Sequence, residues 1–323
     1  MNSQPPQIKE KFLDMPGYQL LHTLGKGAYG VVKLAKKENI YFAVKIFKKV
    51  EIIRKKQEIH IRNEMNISKT FNHPFVNNFI SMHQDSRYIY FVVEYVPGGE
   101  LYHLLRSSGY FELREARFYS AQVVVIFEYL HSKNIIYRDL KPENILINFD
   151  GYIKLVDFGF SKIVPGRTYT LCGTPNYMAP EVLLNQGHGK AVDWWAFGVF
   201  LYELLTGVDP FADDDTMEIF QNIVKVKLAF PRNFDRYAKS LIKHLLVKDL
   251  SKRYGNLKRG TRDIKNHRFF AGFDWQGLMT KQLPAPFLPP IVSPERNHSH
   301  QKYPDSFEVP AAMKKIDDPF FEW

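Results

Sequence analysis

The chain has 323 residues, 45% hydrophobic and 24% charged, a globular balance that excludes a disordered chain and allows roughly two domains. Lys+Arg total 44 against 34 for Asp+Glu, a formal net charge of +10. The cations are scattered, so nucleic acid is not an expected partner; the nearest run, Lys48, Lys49, Arg54, Lys55 and Lys56, is broken by Ile52 and Ile53 and reads as a solvated helix face.

Residues Met1 to Pro16 are polar and proline-bearing, without the apolar core of a signal segment or the glycine that myristoylation needs. From Tyr18 the texture turns to short β-rich runs: Tyr18–Leu24, Val31–Leu34, Tyr41–Phe47, Phe79–His83 and Tyr88–Glu94. One helical interval, about Lys56 to Phe71, interrupts them, which predicts a sheet with one main helix. Val96-Pro97-Gly98-Gly99 punctuates the chain as a hinge. Beyond it, Glu100–Arg106, Glu112–Lys133, Ala191–Leu205, Thr216–Val224 and Ala238–Leu246 carry apolar residues at helical spacing. None approaches the roughly 20 apolar residues of a bilayer span. After Phe270, Leu283-Pro284-Ala285-Pro286-Phe287-Leu288-Pro289-Pro290 reads as an extended tail laid over other surfaces. The single cysteine, Cys172, rules out a disulfide framework or a cysteine-cluster zinc site and fits a reducing compartment. The expectation is a soluble intracellular protein with no membrane insertion.

The chemistry concentrates in Tyr137-Arg138-Asp139-Leu140-Lys141-Pro142-Glu143-Asn144 and in Asp157-Phe158-Gly159. Asp139 can orient and deprotonate an alcohol, and Lys141 places a cation where a transferring phosphate builds charge. Asn144 and Asp157 offer the hard oxygens that magnesium prefers. Upstream, Gly25-Lys26-Gly27-Ala28-Tyr29-Gly30 is a glycine-rich turn whose bare backbone can approach phosphate oxygens. A dinucleotide site should run into a helix, whereas Val31-Val32-Lys33-Leu34 reads as strand, which favours a flap over ATP. Lys45, in the apolar strand Phe42-Ala43-Val44-Lys45-Ile46, needs an anionic partner, for which Glu64 in Arg62-Asn63-Glu64-Met65 is the candidate.

Together these motifs, with Ala179-Pro180-Glu181, resemble the eukaryotic protein kinases over about Tyr18 to Phe270. The resemblance implies an α+β, bilobal fold: a small antiparallel N-lobe sheet with one main helix (18–93), a hinge (94–98) and a larger helical C-lobe (99–270). An extension (1–17) precedes it and a tail of the AGC kinase type (271–323) follows. ATP and Mg2+ are the implied cofactors. Leu24, Gly25, Gly27, Gly30, Val32, Ala43, Lys45, Glu94, Val96 and Leu146 would contact the nucleotide, and Val93 would be a small gatekeeper. Asp139, Lys141, Lys45 and Glu64 would be catalytic; Asn144 and Asp157 would hold metal. Glu181 would pair with Arg253, and Asp193 would brace the catalytic loop. Lys141-Pro142-Glu143-Asn144 resembles the serine/threonine branch.

The stretch from Gly166 to Pro175 is similar to the activation segment of AGC kinases, closest to the cAMP-dependent catalytic subunits. Thr170 would be the phosphorylated residue, with His60, Arg138 and Lys162 cradling it. Glu100, Glu143 and Glu203 would bind arginines upstream of the target, in bidentate pairs that supply register. Leu171, Pro175 and Met178 would line a pocket for the apolar residue after it, and Phe160 favours serine. The implied substrates are basic proteins of the form Arg-Arg-x-Ser-apolar. Asn176 departs from a family glutamate that reads basic residues further upstream. Ser68 departs from an apolar residue that would pack with Phe79, Phe158 and Tyr137. At the chain's end Phe320-Phe321-Glu322-Trp323 resembles an aromatic tail that docks in a first-lobe groove, while Tyr303 or Phe307 would reach the adenine pocket. The resemblance also implies a separate cyclic-nucleotide-binding regulatory subunit and a cytoplasmic location with access to the nucleus. A relative of the cGMP-dependent kinases, another AGC kinase and a pseudokinase scaffold are the alternatives; the last would lack Lys45, Asp139 or Asp157.

Overall fold

A computed structural model describes residues 15, 17–27, 30–290, 292–296, 310, 312–314 and 318–323. Ala28 and Tyr29 of the glycine turn, Tyr303 and Phe307 lie outside the described residues. The chain divides into two compact units, one from residues 1–56, 79–95 and 292–323, the other from 57–78 and 96–291.

The smaller unit is a five-stranded antiparallel sheet in the order β1-β2-β3-β5-β4, formed by β1 (Gln19–Gly27), β2 (Gly30–Lys37), β3 (Ile40–Lys48), β4 (Phe79–Gln84) and β5 (Tyr88–Glu94). Register pairs Val32 with Lys45 and Lys45 with Phe91. Side chains alternate faces along a strand, so Val31, Val44, Ile46, Tyr90 and Val92 form one apolar cluster. Leu24, Leu34 and Ala43, with Val32, Val93 and Tyr95 against them, form a second. A short helix, α1 (Lys49–Arg54), continues β3. Here the expected solvated face is interrupted, for Lys49 is only 1% exposed. Its Nζ donates to Gln84 Oε1 at 2.8 Å and to Asp318 Oδ2 at 2.5 Å, and lies 5.7 Å from the Phe320 ring centroid. Phe320 is fully buried, Trp323 meets it edge-on at 4.9 Å, and Gln84 Nε2 donates to its carbonyl. The tail thus lies on the small sheet through Asp318 and Phe320.

The larger unit is helical: α2 (Glu58–Ser68), α3 (Leu101–Ser108), α4 (Leu113–Ser132), α5 (Pro180–Leu183), α6 (Ala191–Thr206), α7 (Thr216–Lys225), α8 (Arg236–Leu245), α9 (Arg262–Lys265) and α10 (Trp275–Met279). Two short antiparallel pairs accompany them, β6 (Ile135–Ile136) with β9 (Lys162–Ile163) and β7 (Ile145–Ile147) with β8 (Ile153–Leu155). Helix α2 ends before the expected Phe71, where the Thr70 hydroxyl bonds back to the Ile67 carbonyl at 2.7 Å. Helix α4 opens with a reciprocal capping box between Glu112 and Glu115. The core runs through α4 and α6, whose apolar residues are buried almost all round, as a helix hydrophobic on every side requires. The proline-rich segment lies on this unit, with Leu283, Ala285 and Phe287 against its core and the Tyr152 hydroxyl donating to the Leu283 carbonyl at 2.7 Å.

Candidate active site

The catalytic loop is wired by one buried carboxylate. Asp193, in the first turn of α6, has no exposed surface. Its Oδ2 accepts from the Tyr137 amide at 3.0 Å and from His131 Nε2 at 2.7 Å, and its Oδ1 from the Arg138 amide at 2.9 Å. These contacts hold Arg138 at φ +71°, a left-handed conformation costing about 1–3 kcal/mol for a residue with a side chain. Gly173 crosses so closely that a Cβ there would sit 2.7 Å from the Arg138 carbonyl.

One residue further, Asp139 is buried. Its Oδ2 accepts from Asn144 Nδ2 at 2.7 Å and pairs with Lys141 Nζ at 3.2 Å, and its Oδ1 accepts from the Thr174 hydroxyl at 2.9 Å. Lys141 donates to that same hydroxyl at 3.0 Å. A hydroxyl therefore fits between carboxylate and ammonium, which sequence order alone did not reveal because Thr174 is 35 residues from Asp139. The Asn144 amide nitrogen is committed to Asp139, through its carboxylate and its carbonyl, so the oxygen is the atom left to meet a cation. Asp157 sits at φ +57°, its Oδ1 3.3 Å from the Gly159 amide. A Cβ at Gly159 would meet both Asp157 Oδ1 (3.3 Å) and Glu64 Oε2 (3.5 Å), so Glu64 and Asp157 converge on that glycine. Two hard oxygen ligands completed by phosphate and water suit magnesium, which keeps much of its hydration.

Beneath the loop, rings form a column: Phe71 on Phe158 at 4.4 Å, Phe158 on Tyr137 at 5.3 Å, Tyr137 on Phe127 at 6.4 Å and Phe127 on Trp194 at 5.5 Å. Phe71, three residues beyond the end of α2, supplies the ring against Phe158; Ser68, the last residue of that helix, is half-buried. In the smaller unit Phe79 packs edge-on against Phe91 at 5.5 Å.

The expected nucleotide contacts divide between the units. Leu24, Val32 and Ala43 share one apolar cluster of the smaller unit, with half-buried Lys45 on the same sheet face and Glu94 closing β5. Gly30 is obligatory, because a Cβ there would lie 1.7 Å from the Ile46 carbonyl oxygen. At Gly25 and Gly27 a Cβ would meet nothing within 4 Å, which leaves the flap's backbone open to a ligand. Val96 is buried in the larger unit, where Leu146 bridges to Glu100. Lys45 and Glu64 belong to different units.

Of the phosphosite residues, Thr170 is exposed and hydrogen-bonds to no described residue. Lys162 donates to the Thr168 hydroxyl at 2.9 Å, His60 to or from Gln57, and Arg138 Nε to the Phe160 carbonyl at 2.7 Å. Arg138 Nη1 is buried with no hydrogen-bond partner among the described residues, an orphan donor beside the activation segment.

The carboxylates expected to meet substrate influence one another. Glu203 is buried and paired: Arg106 Nη2 lies 3.0 Å from its Oε1, and the Tyr177 hydroxyl donates to its Oε2. Burial pushes the Glu203 carboxyl up, opposed by the Tyr177 bond and the Arg106 charge, while Glu143 and Asp209 push it higher. Burial likewise raises Glu100, with His103 opposing and Glu143 adding. Asn176 donates to Asp209 Oδ2 at 2.9 Å, so a carboxylate stands beside the position where one had been missed. Leu171 is exposed, Pro175 half-buried, and Met178 packs against the main core. The Glu181 carboxylate is held in a bidentate pair by fully buried Arg253, at 2.6 and 3.0 Å.

The sequence has known relatives. The protein kinase domain family matches residues 18–270. The human cAMP-dependent protein kinase catalytic subunit PRKX is 46% identical over 90% of this chain and 81% of its own length. The Saccharomyces cerevisiae cAMP-dependent protein kinase type 3 is 44% identical over 89% of this chain and 73% of its own. In Dictyostelium discoideum the cAMP-dependent protein kinase catalytic subunit is 41% identical over 98% of this chain and 49% of its own length. Members of this family use ATP and Mg2+. The chain belongs to the protein kinase family, as a serine/threonine kinase of the AGC group.

Proposed function

We propose that the chain transfers the γ-phosphoryl group of ATP to serine in basic sequences of the form Arg-Arg-x-Ser-apolar. The observation that carries the reading is the hydroxyl of Thr174 seated between Asp139 and Lys141. A substrate serine presented to the same two groups would be oriented by Asp139, which takes its proton as the serine oxygen bonds to the γ-phosphorus and the bond to the β-phosphate oxygen breaks. Lys141 meets the charge that develops. Such chemistry rests on positioning and electrostatics more than on covalent participation. Asn144 and Asp157 would hold the magnesium, which supplies charge neutralisation on the phosphates. Lys45, paired with Glu64, and the backbone at Gly25, Gly27 and Gly30 would hold the phosphates. Leu24, Val32, Ala43 and Leu146 would sandwich the adenine, with Glu94 and Val96 meeting its polar edge. Glu100, Glu143 and Glu203 would receive the two arginines, and Leu171, Pro175 and Met178 the apolar residue.

Activation would come from phosphate on Thr170. The orphan Nη1 of Arg138 is a buried donor that such a phosphate would satisfy, and His60 and Lys162 would be its further partners. The named relatives support a separate cyclic-nucleotide-binding regulatory subunit, for which exposed Tyr169 and Leu171 would offer contact. Purified protein should phosphorylate an Arg-Arg-x-Ser peptide, and Asp139→Asn should abolish that transfer while leaving nucleotide binding intact. Absence of transfer by the unaltered protein carrying phosphate on Thr170 would refute the assignment. Thr170→Ala should lower activity, and unchanged activity would remove Thr170 from it.

A further inference from the structure

The larger unit has a second polar feature that shares no residue with the site above. An open cleft of about 580 Å³ lies between α8 and the segment that runs through α9. Arg236, Arg259, Arg262 and Arg268 line it, with Asp263 the sole carboxylate in its lining. Among the described residues none of the four guanidinium groups pairs with a carboxylate; Arg236 instead donates to the Tyr237 hydroxyl at 2.7 Å and lies 4.6 Å over its ring. Four like charges lining one concavity against a single carboxylate leave a net positive field that favours an arriving anion.

The scaffold beneath these arginines is fixed. Gly255, at φ +82°, lies so close to Trp194 that a Cβ would come within 2.4 Å of the indole. Arg253, two residues earlier, is locked to Glu181. The Tyr254 amide donates to the His244 carbonyl at 3.0 Å, and its ring stacks on His244 at 4.4 Å. His267 adds no charge. Its Nδ1 accepts from the Phe269 amide and its Nε2 meets the Ser240 hydroxyl, and burial, then His244 and Arg268, hold its pKa below the usual range.

We propose that this cleft binds a compact ligand carrying two or more phosphoryl groups, at a site distinct from the nucleotide and peptide positions. Guanidinium forks match phosphate oxygens two at a time, and a phosphate monoester brings a charge of roughly −1.5 to −2. Two such groups match four arginines against one aspartate. The volume falls within the roughly 300–1,000 Å³ of small-molecule sites.

The test is calorimetric titration of the full chain, saturated with a non-hydrolysable ATP analogue, with inositol hexakisphosphate and separately with tripolyphosphate. One-to-one binding is expected. It should weaken at least tenfold in Arg259→Ala/Arg262→Ala, whose exposed side chains can be removed without unfolding, as thermal melting will verify. It should stay within twofold in Lys55→Ala/Lys56→Ala, which removes the same charge elsewhere. Tighter binding of the ring compound marks a cyclic ligand, and tighter binding of the linear one marks an inorganic or nucleotide-like chain. The proposal fails if neither probe binds at one-to-one, if both double variants lose affinity equally, or if the arginine variant loses none. Probe binding that is seen only without the ATP analogue, or binding of a phosphopeptide where both probes fail, overturns it as well.

Discussion

Replacing Asp193 with asparagine tests how the catalytic loop is held. The carboxylate accepts three hydrogen bonds through two oxygens: Tyr137 and His131 on one, Arg138 on the other. Asparagine keeps one oxygen and turns a donor toward the remaining N–H. If the oxygen stays with Tyr137 and His131, the Arg138 amide becomes a buried orphan facing another donor, at about 1–3 kcal/mol, and the surviving bonds lose their charge assistance. The net loss should be about 2–4 kcal/mol, a large part of the roughly 5–15 kcal/mol of a typical domain but short of unfolding it. Because those bonds hold Arg138 at φ +71°, the loop should also relax and carry Asp139 out of place. Urea unfolding would read the stability loss, and hydrogen exchange the lost protection of the Tyr137 and Arg138 amides. Peptide phosphorylation should fall at least tenfold in kcat with nucleotide affinity little changed. A variant with wild-type stability and amide protection would refute the bracing role; lost protection with full activity would refute its link to catalysis.

Gly30→Ala should disrupt the β2–β3 pairing, because its methyl would overlap the Ile46 carbonyl; an unchanged melting temperature would contradict that. His73 is buried, its pKa lowered to about 4 by burial and then by Lys154, so it is neutral in the fold. Between pH 6.5 and 4 the unfolded chain binds the proton and the folded one does not, so stability falls with pH across that window, by about 2–3 kcal/mol. His73→Gln should flatten the fall, and an identical pH profile in the variant would reject it. Lys49→Met leaves Asp318 buried and unpaired; the tail should detach, capping the loss near the roughly 2–3 kcal/mol that burial of Phe320 contributes. Unchanged exchange protection at 320–323 would count against this. Asp209→Asn should lower kcat/KM severalfold for peptides with an additional arginine far upstream and spare the two-arginine peptide; equal effects on both would remove Asp209 from specificity.

Much of this site was legible because its chemistry is local in sequence. Asp139 and Lys141 lie in one loop and Asn144 at the end of the short 3-10 turn that follows it, and their mutual bonds follow from that spacing. Helices α4 and α6 were visible as long apolar runs. What escaped depends on contacts distant in sequence. Lys49 looked solvated because its partner Asp318 is 269 residues away, and a basic run carries no mark of which member turns inward. The Thr174 hydroxyl and the Asn176–Asp209 bond were hidden for the same reason. Helices α5 and α9, of four residues each, are too short to show a period. The left-handed φ of Arg138 and Asp157 has no signature in residue type, since neither is glycine.

The acidic groups facing the proposed peptide differ in how much water reaches them. Glu143 is exposed, whereas Glu203 is almost sealed from solvent. At physiological ionic strength the Debye length is about 8 Å, and mobile ions shield the first far more than the second. An arginine read by Glu143 would thus lose its advantage as salt rises, while one read by Glu203 keeps it. The ranking of basic substrates would then shift with the ionic composition of the compartment.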